Sequence, residues 1–189
     1  MTHLRRGFKT EANDIAREIR RELGLRDIEP LDPWKLAAAL EIRVVPLNSF
    51  RQDAPRAARL FRVVDRETFS AVTVFNGTER MIVYNDAHSR GRQASDIAHE
   101  LAHALLQHPP VPALDHRGCR NWDPEMEEEA NWLAGVLLIS EDAALAIVRN
   151  GLSLEEAAEK YGVSKQMVQF RVNMTGARRR VRSARGYSR

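Results

Sequence analysis

The sequence predicts an α+β fold: mostly helical, with a small antiparallel sheet and a C-terminal helix-turn-helix-like helical pair. Three observations carry this reading. Apolar residues recur at helical spacing along several segments, as at Ala12, Ile15, Ala16, Ile19 and Leu23. Two β-branched and aromatic runs, Phe69–Phe75 and Met81–Tyr84, flank an Asn76-Gly77 hairpin signal. Two further helical stretches, starting at Ser153 and Ser164, meet at a turn containing Gly162.

The elements follow in order. The first helix runs from Thr10 to Leu23, with Gly24 as its stop. Asp32 before Pro33 is a cap and first-turn proline that open a short helix through Leu40. Ile42–Val45 reads as a strand, residues 47–59 as a loop, and Leu60–Val64 as another short strand ahead of the hairpin. Ile97, Ala98, Leu101, Ala102, Leu105 and Leu106 mark the next helix. Pro109-Pro110 must end it, because proline lacks the amide and clashes with the preceding turn. Residues 109–123 read as a surface loop. Asp123-Pro124 then opens a helix carrying Ala130, Leu133, Ala134, Leu137 and Leu138. Ser140 caps a helix to Val148, ended by Asn150-Gly151, and Ser164 starts a last one to Met174.

Length and composition suit such a fold. The chain has 189 residues, 43% hydrophobic and 29% charged, as in a soluble globular domain with a sizeable core. The longest apolar run, Trp132–Ile139, is far short of the ~20 residues of a membrane-spanning helix, so no membrane partner is expected. No apolar stretch follows Arg5 and Arg6, so no signal peptide is expected and the expected location is cytoplasmic. Cys119 is the one cysteine, which excludes an intramolecular disulfide and any Cys-rich zinc site. The net charge of +3 hides an asymmetry: residues 171–189 hold seven arginines and no acid, which leaves −4 for residues 1–170. A global basic-protein argument for nucleic acid therefore fails, and only a local one stays open.

His99-Glu100-Leu101-Ala102-His103 is the strongest chemical signal. On a helix, positions i and i+4 share a face, so both imidazoles can reach one zinc ion. Glu100, rotated by ~100°, flanks the metal and is placed to take a proton from a water that zinc acidifies. With six histidines and sixteen glutamates in the chain, about 0.02 such matches are expected by chance. Catalytic zinc needs a third protein ligand, and four glutamates after Pro124 compete for the role. Glu127 is in line with Ala130, Ala134, Leu137 and Leu138 and should face the core, with Asn131 on the same face as a hydrogen-bond partner for His99 or His103. Glu128 and Glu129 project off this stripe and read as solvated charges; the alternative is that all four glutamates form a solvent-facing cluster near a helix N-terminus.

These blocks resemble the ImmA/IrrE family of zinc metallopeptidases. The likeness extends to Glu11–Arg20, Asp32-Pro33-Trp34-Lys35-Leu36-Ala37, Ile82–Asn85, Arg92-Gln93, Ile97–Leu106, Glu127–Ile139 and Leu154–Lys165, spanning roughly residues 10–176. The resemblance implies a gluzincin-like zincin core with two histidines and one glutamate as Zn2+ ligands. It also implies a cytoplasmic endopeptidase that cleaves a helix-turn-helix transcriptional repressor and so derepresses mobile-element or stress genes. Ser140 stands where that family usually has proline, which changes a cap and leaves the metal site alone. The expected organisation is a zinc metallopeptidase core over residues 1–150, a helix-turn-helix-like pair packed on it over 151–175, and a basic, flexible tail over 176–189.

Other residues carry weaker signals. His88, His108 and His116 read as surface histidines that could touch substrate, with Tyr84 and Arg92 of similar standing. Cys119 reads as an inert thiol. Asn85 is expected to end an edge strand along which a peptide could lie. The rival reading is a DNA-binding regulator with a structural, non-catalytic zinc. In it Lys165, Gln166, Gln169 and Arg171 face DNA and the basic tail adds phosphate contacts.

Overall fold

The computed structural model describes residues 4–77, 79–109 and 123–186. Along the chain come α1 (Phe8–Glu22), α2 (Pro33–Ala39), β1 (Arg43–Pro46), α3 (Pro55–Arg59), β2 (Ala71–Asn76), β3 (Glu79–Tyr84), α4 (Arg90–Leu105), α5 (Pro124–Leu138), α6 (Glu141–Arg149), α7 (Leu154–Tyr161), α8 (Lys165–Met174) and α9 (Ala177–Gly186). Short polar side chains set several of the helix starts. The Asp32 carboxylate accepts the Trp34 amide at 2.9 Å, and Asp123 accepts the amide of Glu125 at 3.0 Å. Ser140 and Ser164 cap α6 and α8, and Ser153 with Glu156 forms a reciprocal capping box on α7.

The sheet is mixed, where the sequence suggests an antiparallel one. β3 is its centre: it pairs antiparallel with β2 and parallel with β1, Val44 lying opposite Ile82. Hairpin residues announce the local pair, whereas a parallel pair between distant segments leaves no local turn signature. Asn85 follows this central strand and so does not end an edge. Its buried amide instead donates to the carbonyls of Phe61 (2.9 Å) and Phe69 (3.0 Å). That bond helps hold the chain ahead of β2, which is helical where a loop and a strand are expected. Leu47–Phe50 is a 3₁₀ turn, α3 opens at Pro55, and Leu60–Val64 is a wide helical turn. Val63 and Val64, whose branching suggests a strand, are exposed. Arg62 decides the local structure instead, forking onto Asp86 at 3.1 and 3.0 Å and reaching Asn48 at 2.8 Å.

Helices α4 and α5 form the centre of the molecule, with α1 against α5. Ile97, Ala98, Leu101 and Ala102 meet Ala130, Leu133, Ala134 and Leu137 in a core with no solvent-exposed member above 3%. Each buried leucine contributes about 1.5–3 kcal/mol, and the alanines let the helix backbones approach. The C-terminal end of α5 is held by two buried guanidiniums. Arg20 of α1 donates from Nη2 to the Leu137 carbonyl at 2.7 Å, and Arg171 of α8 donates from Nε to the Ile139 carbonyl at 2.9 Å. Cations suit a helix C-terminus, where the last carbonyls lack intrahelical partners. Burial lowers the Arg171 pKa to about 10, which still leaves it charged at neutral pH. Arg171 therefore faces the interior and not DNA.

The turn between α7 and α8 lies against the first turn of α4. A Cβ on Gly91 would come within 2.6 Å of the Val163 carbonyl carbon and 2.8 Å of the Ser164 nitrogen. These are backbone atoms that cannot swing aside. Gly91→Ala is therefore expected to lose about 1–3 kcal/mol of stability. Gly135→Ala, whose Cβ would meet the flexible Arg171 side chain at 3.1 Å, should lose less. Denaturant midpoints of the two variants check this, and a Gly91→Ala protein as stable as the unsubstituted chain would contradict it.

The stretch after Thr175, expected as a flexible tail, is helical from Ala177 to Gly186 and packs on α6. Gly176 turns the chain at φ 61°, Ala177 and Val181 are buried one turn apart, and Arg180 pairs with Glu141. Two apolar positions among arginines are too sparse a stripe to read as amphipathic, yet they suffice once α6 supplies the facing surface. Among the described residues no single helix is long and apolar enough to cross a membrane.

Candidate metal centre

The core packing of α4 on α5 brings the site together. His99, Glu100 and His103 lie on α4, and Glu127 and Asn131 on the first turns of α5. The Nε2 atoms of His99 and His103 are 3.0 Å apart. Glu127 straddles them, Oε2 lying 3.2 Å from His99 Nε2 and Oε1 3.6 Å from His103 Nε2. Ligand atoms ~2.0–2.1 Å from a tetrahedral ion lie about 3.3 Å from one another. The three separations scatter around that edge, so this is a cluster able to hold a metal ion.

The outer ring nitrogens support the same reading. His99 Nδ1 lies 3.0 Å from Asn131 Oδ1. An amide oxygen only accepts, so the proton sits on Nδ1 and the Nε2 lone pair of the neutral ring faces inward. Two inward lone pairs and a carboxylate repel one another unless a metal ion or a shared proton lies among them. The donor set, two imidazoles and one carboxylate, is compatible with zinc. Burial, and the neighbouring imidazoles of His99 and His108, push the His103 pKa down to about 4, which keeps its lone pair available. Burial also opposes charge on His99, but hydrogen bonding to Glu127 and the charge of Glu100 outweigh it and raise that pKa.

Glu100 points elsewhere, toward the sheet. Its Oε2 accepts from the Thr73 hydroxyl of β2 at 2.5 Å. Burial pushes the carboxyl up, against the lowering effect of that hydrogen bond. A carboxyl raised toward neutrality and lying beside a metal cluster is suited to proton transfer. Thr73 has no sequence signal; only the sheet register brings it to Glu100.

The helix end adds a contact not expected from sequence. Gln107 takes the left-handed φ of 54°, the His108 amide bonds to the His103 carbonyl (3.0 Å), and the Gln107 amide bonds to the Ala104 carbonyl (3.2 Å). This pairing is a Schellman motif, which folds the residue after the turn back over the last helical turn. His108 Nδ1 accordingly lies 2.9 Å from His103 Nδ1, with the His108 side chain only 9% exposed. Glu129, expected as a solvated charge, stands behind it: Oε2 is 3.6 Å from His108 Nε2, and Oε1 meets Arg5 Nε at 2.7 Å.

The remaining candidates serve the scaffold. His88 packs against Asp96 (3.3 Å) and the Arg66 carbonyl (2.7 Å), Arg92 holds Glu67 and Ser70, and the Tyr84 ring meets Trp34 edge-on. Lys165 pairs with Glu155, and Gln169 bonds Asn173 within α8. His116, Cys119 and nearly all of the 109–123 loop lie outside the described residues.

No curated protein sequence matches the chain. The family model of the IrrE N-terminal-like domain, peptidase M78, matches residues 38–173, from α2 to the end of α8. That span takes in both metal-cluster helices and the sheet beside them, and it places the chain in the ImmA/IrrE family of metallopeptidases.

Proposed function

We propose that this chain is a zinc-dependent, site-specific endopeptidase of the cytoplasm that cleaves a helix-turn-helix transcriptional repressor and so switches on mobile-element or stress genes. The observation that carries the catalytic reading is the convergence of His99 Nε2, His103 Nε2 and the Glu127 carboxylate, with the raised carboxyl of Glu100 alongside. His99, His103 and Glu127 hold the metal. Zinc, when bound, supplies a Lewis acid for the scissile carbonyl and acidifies a water. Glu100 takes the proton of the attacking water on its carboxylate and passes it to the leaving amine, while Thr73 holds one of its oxygens in place. Asn131 keeps the His99 proton on Nδ1.

A chain that shares a compartment with the cell's own proteins must not hydrolyse them at random. Docking of a folded partner, away from the metal, then positions one exposed bond. The α7–α8 pair is the proposed recognition element.

Incubating the zinc-loaded protein with a panel of folded helix-turn-helix repressors, and with unfolded casein, tests this by mass spectrometry of the fragments. One discrete, zinc-dependent cut in one repressor, with casein intact, is expected. Rapid casein digestion would refute the specificity. Failure to cut either, together with tight sequence-specific DNA binding, would favour the rival regulator, to which α9 offers the exposed Arg178, Arg179 and Arg182.

A further inference from the structure

His99 and His103 are not supported alike. Behind His99 stands a neutral amide, Asn131. Behind His103 stands a second imidazole, and behind that a carboxylate and a guanidinium reaching the surface. We infer that His108, carried over α4 by the Schellman turn and backed by Glu129 and Arg5, is a positioning residue that holds the His103 proton on Nδ1 and so presents Nε2 to the metal. This rests on the zinc reading above.

The direction of the chain follows from its far end. Glu129 Oε2 is 3.6 Å from His108 Nε2 and, as a carboxylate, favours a proton on that nitrogen. In the tautomer with its proton on Nε2, His108 presents only a lone pair at Nδ1. The 2.9 Å contact to His103 Nδ1 then requires His103 to be the donor. The opposite arrangement would put a hydrogen on His103 Nε2, aimed at His99 Nε2 3.0 Å away, and block the site. Arg5 fixes Glu129 from outside at 2.7 Å and also bonds Glu11 of α1 at 2.7 Å, so the N-terminal helix is tied to one of the metal ligands.

The backbone was shaped around this contact. A Schellman turn ordinarily buries an apolar pair between the residue after the turn and the residue five before it. Here that pair is His108 and His103, and the left-handed position between them is glutamine, which carries a Cβ where glycine would be unstrained. Carboxylate–histidine support of a metal-bound imidazole typically changes metal affinity by about 10–100-fold.

Zinc dissociation constants, measured by competition with a chromogenic chelator, test the inference on the full chain. The proteins are the unsubstituted chain, His103→Ala, His108→Leu, His108→Asn and Glu129→Gln. His108→Leu should bind zinc about 10–100-fold more weakly, and His108→Asn, whose Oδ1 can stand where Nδ1 stood, should recover most of that loss. Glu129→Gln should fall between. Two-bond ¹⁵N spectra should show His103 protonated on Nδ1 in the unsubstituted protein and a mixture of tautomers in His108→Leu. Unchanged zinc affinity in His108→Leu, or an Asn variant no better than Leu, would overturn the role of His108. If instead the unsubstituted chain takes up no zinc, or His103→Ala binds as tightly as it does, the zinc reading itself fails and this inference goes with it.

Discussion

Glu100→Gln should keep its zinc and lose peptide cleavage by about 10²–10⁴-fold, the usual range for removal of a general base. Glutamine preserves the size of the side chain, and its amide oxygen can still accept from Thr73, so neither packing nor the sheet contact should change. What it cannot do is take a proton. Because Glu100 sits one position after His99 and points to the sheet, its carboxylate is not among the three groups that converge on the metal position. Zinc content and cleavage rate, measured on the same preparation, separate the two roles. A Gln variant that cleaves at the original rate would remove Glu100 from the mechanism, and one that loses zinc would make it a ligand.

Glu127→Ala should lose the metal. Structural zinc sites in small peptides bind with an apparent ~10–16 kcal/mol, so one ligand of three in the proposed set would account for roughly 3–5 kcal/mol, or about 10²–10⁴-fold in affinity. Two of the neighbouring glutamates provide the comparison. Glu125→Ala removes an exposed acid from the same turn, and Glu128→Ala removes one that points off the line of Ala130 and Ala134. Both should retain zinc. If Glu127→Ala keeps full zinc while either neighbour loses it, the ligand assignment is wrong.

The legible parts of this molecule are those with local or strictly periodic causes. His99 and His103 are one helical turn apart, so their convergence needs only a helix, which Ile97 to Leu106 supplies. Glu127 stands out by its alignment with Ala130 and Ala134, which are buried, and Asn131 by the same register. Asp32, Asp123 and Ser140 mark helix starts because a short acceptor before a helix acts within three residues. The illegible parts depend on partners far along the chain. Nothing near Arg62 says that Asp86 will capture it and turn a strand-like segment into a helical one. Thr73 reaches Glu100 only through sheet register, and Glu129 reads as a surface acid until Arg5 and His108 close on it. His108 lay between these cases. Its distance from His103 is that of a Schellman pair, but the signal was hidden because the left-handed residue is glutamine and not glycine.

The two guanidiniums at the end of α5 also make the candidate cluster depend on segments far from it along the chain. A ribosome releases the chain from its N-terminus, so α1 with Arg20 is available long before α8 with Arg171. Until residue 171 has emerged, the Ile139 carbonyl lacks its buried donor and the helix bearing Glu127 is anchored on one side only. The helix that completes the candidate cluster is thus locked only when a segment made after it has folded back onto its end. A polypeptide that stops short of residue 171 carries His99, Glu100, His103 and Glu127 with one of the two anchors of the Glu127 helix missing.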